Sequence, residues 1–476
     1  MGVVIESEIW EPNATIYIFL LIACFVAIFL LPHFSNPTTA SPFDLNISSS
    51  FLQFQRKFLL LYFLSSVLEG FWSVFGEYEM ANYGVSRENM ALSLCVGCLA
   101  SLFAGTFLGM LSDVVGQKKV CFIFCILHLF VGIWKRVITH PSIWVASICL
   151  SLASSIFSFS FETWVVVEHE KLGYRQDTLN VTFWLMTFSE SASLIGSQML
   201  ANWIARNGLE KSVVSPSTVS VFLAMITVIF VARGWTESPV KEGLNAYRAS
   251  FTAYIFGDKQ IWLLALAQAC LHFSIAVFWI LWAPTIVADG REVHLGLIYP
   301  SLLGSRMLGS TLFPWFINEL ASIRTEDCIL YTFIFAGLVL SIVAYDYQEI
   351  GVLVLLFCLF HICAGLMLPS LARLRTMYVP NEFRAGMMSL SLAPANAALL
   401  LVVLNGGYYR NICNATIMAF AALGLLVAAG CISMQSECIY IHVGGKNEGC
   451  EQDNLQKWIL ALPLTDYGAV KRAKYR

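Results

Sequence analysis

Apolar stretches near the 20 residues that carry a helix across a bilayer recur from end to end of the chain, separated by short polar breaks. Taken in order they predict transmembrane helices over 15–31, 58–81, 90–111, 120–139, 143–166, 178–203, 215–233, 261–287, 295–318, 328–345, 350–371, 385–405 and 412–434. The longest polar interruption between spans, 236–260, carries Glu237, Lys241, Glu242, Arg248, Asp258 and Lys259 and divides the twelve later spans six and six. Within those twelve, every third span (120–139, 215–233, 328–345, 412–434) has an interior free of ionisable groups apart from His128. Such helices should face lipid, and the polar ones should surround a watery cavity, because an ionisable group against lipid is expensive. A threefold alternation in two halves is what repeated transporter architecture predicts.

Composition agrees: of 476 residues 58% are hydrophobic and 12% charged, with a mean hydropathy of +0.71. The expectation is an all-α polytopic membrane protein with an anchor helix and linker at 1–57, a six-helix bundle at 58–234, and a central cytoplasmic loop at 235–260. A second bundle follows at 261–434 and a mostly disordered cytoplasmic tail at 435–476, whose apolar patch at 458–464 is too short to span. Glu6, Glu8 and Glu11 precede the first span with no Lys or Arg, so the basic segment of a cleaved signal peptide is missing and that span should stay as an anchor. With the N-terminus outside, 20 of the 28 Lys and Arg fall inside and 7 outside, as the positive-inside rule asks. Lys135 and Arg136 lie on the wrong side, at a helix end from which they can snorkel. The net charge of −3 gives no sign of nucleic-acid binding. The fourteen cysteines lie mostly in apolar runs and read as packing rather than as a disulfide framework.

Candidate chemistry sits on the polar faces. Ser65, Glu69, Ser73 and Glu77 repeat every four residues and share a face. Ser147, Ser151, Ser155, Ser158 and Glu162 make a similar stripe. Glu190, Gln268, His272, Arg306 and His361 add polarity within later spans, and Arg306 is the only arginine placed within a span interior. Glu69, Glu162, Glu190, His272 and Arg306 are the expected substrate or proton pathway. Pro284, Pro369 and Pro394 interrupt apolar runs, and Asn396 beside the last suggests a broken cavity helix. At 109–119 the stretch GMLSDVVGQKK sets Asp113 between Gly109 and Gly116, ahead of Lys118 and Lys119. Glycines let backbones approach closely, a carboxylate can accept from a helix N-terminus or an arginine, and the lysines hold the loop inside. The cluster is expected to latch an inner gate. There is no HExxH, no GxSxG, no phosphate-binding glycine loop and no metal-ligand spacing, so neither an enzyme nor a cofactor nor a metal is expected.

The order Gly109, Asp113, Gly116, Lys118, Lys119 resembles the loop signature of the major facilitator superfamily, with Val114 in place of its basic residue, and PNEFRAG at 380–386 is similar to its P-x-E-x-R-G. FSFSFETWVVVEHE at 157–170, FWILWAP at 278–284 and HLGLIYPSLLGS at 294–305 resemble the molybdate-anion transporter family within it. The likeness covers about residues 50 to 434. It implies major-facilitator-type bundles whose first and fourth helices line the cavity, and secondary transport of a small oxyanion, molybdate, by alternating access. Glu69 and Glu162 would take protons and Arg306 would hold the anion, or pair with one of those glutamates to join the halves. In the second half 304–318 keeps glycines but no Asp or paired lysines, so any latch is asymmetric. The alternative is a non-transporting receptor or scaffold that keeps the fold. Expected partners are the anion, protons and the lipid bilayer, and the plasma membrane is preferred over internal membranes.

Overall fold

The computed structural model describes residues 9–29, 42–82, 84–138, 142–174, 176–206, 216–234, 244–318, 324–345 and 349–444. They form fourteen α-helices: α1 (Ala14–Phe29), α2 (Pro42–Asn82), α3 (Arg87–Val115), α4 (Gln117–Val137), α5 (Ile143–Lys171), α6 (Gln176–Arg206), α7 (Pro216–Gly234), α8 (Leu244–Gly257), α9 (Lys259–Ile286), α10 (Leu295–Asn318), α11 (Thr325–Ala344), α12 (Ile350–Tyr378), α13 (Arg384–Val402) and α14 (Asn414–Gly444). Short π-helical turns interrupt α3 at Ser101–Gly105 and extend α13 at Val403–Tyr408. Eight helices among the described residues are long and apolar enough to cross a membrane by themselves, and α1 and α7 are shorter apolar helices.

Each of the thirteen expected spans falls on a helix, but four expectations need correcting. The central interruption is not all loop: α8 occupies 244–257, with Tyr247, Phe251 and Ile255 buried at four-residue spacing and the residues between them mostly exposed. That is an amphipathic helix, too short and too polar on one face to register as a span. The first-bundle helix α2 starts at Pro42 rather than 58. The chain stays helical to Gly444, past the expected tail boundary at 435, and residues 445–476 and 235–243 lie outside the described residues. Pro394 does not break α13, which runs through it with Asn396 buried.

Helix ends follow local chemistry. The Ser86 hydroxyl accepts from Asn89 N at the start of α3, and the Asp258 carboxylate accepts from Gln260 N at the start of α9, the N-cap pattern. Gly116 separates α3 from α4 at φ 105°, a conformation that suits glycine.

In the first bundle α2 packs on α6 and α7, α4 on α5 and α7, and α3 on α5. In the second α9 packs on α13 and α14, α11 on α12 and α14, and α10 on α12. The bundles meet where α3 runs along α13 and α6 along α10 and α12. Cores of fully buried Phe58, Phe124, Phe159 and Phe161 in one half, and Phe278, Phe333, Phe357 and Phe360 in the other, fix these contacts. In lipid this is close packing more than water exclusion, and small residues allow it: Gly309 lies against the Ile362 carbonyl and Gly365 against that of Arg306. Exposed apolar stripes run along α7 (Phe222, Met225, Ile226, Ile229, Phe230), α11 (Tyr331, Ile334, Phe335, Leu338, Ile342) and α14 (Phe420, Leu423, Leu426, Val427). These are helices expected to face lipid. The fourth, α4, turns a wholly buried His128 inward, and at its far end Lys135 lies over the Trp72 ring at 4.5 Å.

The extra helix α1 docks on α10. Leu20 faces Gly304, Trp315 Nε1 donates to the Ala27 carbonyl at 3.1 Å, and Tyr17 donates to the Leu297 carbonyl. Ahead of it Trp10 bridges Val293, and His294 reaches Glu11 at 3.2 Å.

Candidate functional site

A polar constellation joins the bundles where α6 meets α10. Arg306 Nη2 donates to Glu190 Oε1 at 2.8 Å, and the Tyr62 hydroxyl of α2 donates to Glu190 Oε2 at 2.8 Å. Tyr62 is held by stacking on Phe157, ring centroids 5.3 Å apart. The pair joins the two bundles and offsets two charges that would each cost about 2.5–3.5 kcal/mol alone at membrane depth. It is incompletely satisfied. Arg306 Nε and both ring nitrogens of His361, on α12, are buried with no hydrogen-bond partner. His361 sits 4.7 Å from the Phe278 ring and 4.9 Å from that of Trp279, and Trp279 in turn meets Tyr299. Buried polar atoms are nearly always bonded, so one Arg306 nitrogen and two His361 nitrogens without a partner stand out, the imidazole being enclosed by the Phe278, Trp279 and Phe360 rings. Packing surrounds it, but the hydrogen bond is missing.

The other pathway candidates lie elsewhere. Glu69 accepts from or shares a proton with His128 Nε2 at 3.1 Å, inside the first bundle and away from Arg306. His272 is half-buried on α9 and makes no hydrogen bond to the Arg306 cluster. Of the stripe on α5, Ser147 donates to the Ser93 carbonyl at 2.6 Å, Ser151 sits against Gly97 and Ser155 against Gly105. Those serines are therefore helix-packing contacts between α5 and α3 rather than a cavity lining. The side chain of Glu77 lies outside the described residues.

Glu162 ends that stripe and turns toward the second bundle. Arg375 Nε and Nη2 grip its two oxygens at 2.8 and 2.5 Å, and Arg375 Nη1 donates to Gln268 Oε1 at 3.1 Å. Bidentate guanidinium–carboxylate geometry is the strong form of this bond. Arg384 Nη1 lies 4.0 Å from Glu162 Oε1. Both arginines are buried, 5% and 0% exposed, so Arg306 is not the only interior arginine. They were counted as loop charges because the spans were cut at 371 and 385, whereas α12 runs seven residues further, to Tyr378.

Next to this cluster the expected latch is assembled around Asp113. Its carboxylate accepts from Ala385 N at 3.1 Å, Gly386 N at 2.7 Å and the Tyr247 hydroxyl at 2.9 Å. The first two donors are the free N–H groups of the α13 N-terminus, which favours negative charge. Tyr247 lies on α8, outside the spans, and burial together with the adjacent carboxylate pushes its phenol well above the usual range, so it remains a donor. Gly386 is pressed against Tyr247 and Asp113, and Gly109 against Ser389, leaving no room for a side chain at either. Arg384 Nη2 closes the other side, donating to the Arg375 and Val379 carbonyls at the end of α12 at 3.2 and 3.3 Å. Asn381 donates to Glu170 of α5. Lys118 Nζ reaches the Ala232 carbonyl at 3.3 Å and Lys119 is exposed. At the opposite end the bundles are joined by Gln198 Nε2 donating to the Gly296 carbonyl at 2.9 Å and by Arg410 with Glu88 at 3.3 Å.

A family model described as sugar transporters with 12 transmembrane segments matches residues 17–361. The chain is 25% identical over 406 residues to the molybdate-anion transporter of Xenopus tropicalis, covering 84% of this chain and 88% of that one. It is 24% identical to the protein of that name from Xenopus laevis, covering 80% and 86%, and 24% identical to that of Danio rerio, covering 75% and 80%. Among solved structures the fold is similar to the fucose:proton symporter of E. coli, with a TM-score of 0.61 at 12% identity over 80% of this chain and 98% of that one. It is similar also to a bacterial homologue of the iron transporter ferroportin in its outward-facing state, with a TM-score of 0.60 at 15% identity over 80% and 99%.

Proposed function

Since this chain belongs to the major facilitator family of twelve-span transporters whose model covers 17–361, we propose that it is a secondary active transporter of a small oxyanion, molybdate by its likeness to the molybdate-anion transporters. The observation that carries the reading is Arg306, a buried guanidinium held across the bundle interface by Glu190, with its Nε and the two His361 nitrogens still unbonded. A tetrahedral dianion needs positive charge and several donors in a low-dielectric place, and a planar guanidinium fork fits two of its oxygens. The family description names sugars, whereas the named relatives that match over most of the chain are molybdate-anion transporters. The receptor or scaffold reading has no observation in its favour.

Protons enter through the same pair. An anion that takes Arg306 displaces Glu190, and a buried carboxylate stripped of its cation takes up a proton. That assigns the coupling role to Glu190 rather than to Glu69 or Glu162. The bundles then rock about the seam, with the Asp113 cluster latched in one state and released in the other.

Molybdate uptake by reconstituted vesicles under an imposed pH gradient tests this. Uptake should respond to the gradient, vanish in Arg306→Ala and lose its gradient response in Glu190→Gln. Vesicles that never accumulate molybdate, with the protein folded, would overturn the substrate. The plasma membrane is its proposed location with residues near 245 inside, and an impermeant thiol reagent that labels a single cysteine there from outside would reverse the orientation.

A further inference from the structure

Charge along the seam is sorted by bundle. The arginine–carboxylate pairs that join the bundles among the described residues are Glu88 with Arg410, Glu190 with Arg306, and Glu162 with Arg375 and Arg384. In each the acid belongs to the first bundle and the arginine to the second.

At the inner end the sorting leaves an excess. Two buried guanidiniums face the single carboxylate of Glu162, and Arg384 Nη1 is buried with no hydrogen-bond partner. The remaining acids of the constellation, Asp113 and Glu170, are engaged by the Ala385 and Gly386 N–H groups, Tyr247 and Asn381. Both also belong to the first bundle, on α3 and α5. When the bundles part at this end all three acids leave with it. Arg375, Arg384 and Gln268 stay behind on α12, α13 and α9, tied to one another through the Arg375 carbonyl and the Gln268 side chain. The two Glu162 oxygens, gripped side-on by Arg375 Nε and Nη2, occupy the positions that two oxygens of a tetrahedral anion would take.

We infer that Arg375 and Arg384, with Gln268, form a second oxyanion site at the inner mouth, which molybdate occupies in the inward-open state in place of the Glu162 carboxylate. The site rests on the transport reading and extends it: the anion passes from Arg306 to a pair of arginines that closure covers again with Glu162. At each station a carboxylate of the first bundle, Glu190 or Glu162, pairs the arginine when the substrate is absent and the bundles are closed there, so neither site holds an unpaired cation in that state.

The test uses the purified full chain in nanodiscs, with calorimetric titration of molybdate against chloride at equal ionic strength. Arg306→Gln silences the central site, and Glu162→Gln added to it removes the competing carboxylate. That double variant should bind one molybdate, and further replacement Arg384→Gln should weaken it by at least about tenfold. Binding by the wild type with none by the double variant overturns the inner site and leaves the central one standing; absence of binding by the wild type sinks the central reading itself. An equal response to chloride reduces the effect to screening and also overturns the site. Should Glu162→Gln fail to yield folded protein, Arg384→Lys in counterflow decides, since it keeps a charge but loses the fork. Half-saturating molybdate on the inner face should rise about tenfold with the outer value unchanged, and a rise on both faces or on neither overturns the inference.

Discussion

The middle of the bundle interface and its end at Asp113, proposed as the inner one, use the same residue types to different ends. In the middle one glutamate meets one arginine and one tyrosine, and three buried nitrogens go unbonded. At the inner end Asp113 takes three donors, Arg375 uses all three of its nitrogens, and Arg384 caps the end of α12 with a single nitrogen left over. A satisfied network is rigid and holds two surfaces together, whereas an unsatisfied one is costly until something fills it. In the state described, the contrast supports closure at the Asp113 end and a substrate site in the middle, with the Arg375 and Arg384 site uncovered only when that end parts.

The sharpest way to break that contrast is to remove Arg375. Arg375→Ala leaves Glu162 buried with only Arg384 at 4.0 Å, and breaking a buried pair from one side costs about 3–5 kcal/mol. The folded fraction, read by fluorescence-detected gel filtration, should fall steeply; undiminished folded protein would mean that the inner network holds little. Arg306 should behave in the opposite manner, since Glu190 keeps its Tyr62 donor. Arg306→Lys, which retains charge without the fork, should leave most of the protein folded and weaken molybdate by about ten- to a hundredfold. An unchanged affinity in both Arg306→Lys and Arg306→Ala would remove the anion from the middle.

The difference in what the sequence disclosed follows the same division. The all-helical transporter fold was legible because it rests on a local signal, apolar run length, and Asp113 between its glycines stood out by spacing alone. Pairing was not legible, since it depends on which helix face meets which. Glu190 and Arg306 were both visible as buried charges, but only packing of α6 on α10 makes them partners rather than Glu69 or Glu162. Arg375 and Arg384 were hidden by span ends placed where hydropathy falls, although the arginine inside P-x-E-x-R-G was a signal for Arg384. The α5 serines misled because a polar stripe that packs on glycines and one that faces water look alike in sequence.

A smaller effect is expected at the latch. Asp113→Asn replaces one acceptor oxygen with an amide that points its own hydrogens at the α13 N–H groups or at Tyr247, weakening a contact made in one state only. A loss of about 1–3 kcal/mol in that state alone shifts the balance between states by roughly 5- to 150-fold. Abundance should be nearly intact and turnover slowed, as measured by initial rates against molybdate concentration; unchanged kinetics would leave closure to Glu162 and Arg375 alone.

The smallest effect should come from Glu69, which belongs to neither region. Its carboxylate meets His128 within the first bundle, with the glutamate 24% exposed and the histidine wholly buried. Both residues move together when the bundles rock, so their bond is kept in every state and cannot bias one over another. Glu69→Gln retains a carbonyl oxygen for the His128 ring, and loss of the charge should lower stability by about 1 kcal/mol, seen as a small shift in thermal unfolding. Uptake and its response to the pH gradient should persist. A gradient response abolished by Glu69→Gln and preserved in Glu190→Gln would transfer the proton site to α2 and α4, and the middle of the interface would then bind the anion without coupling it to protons.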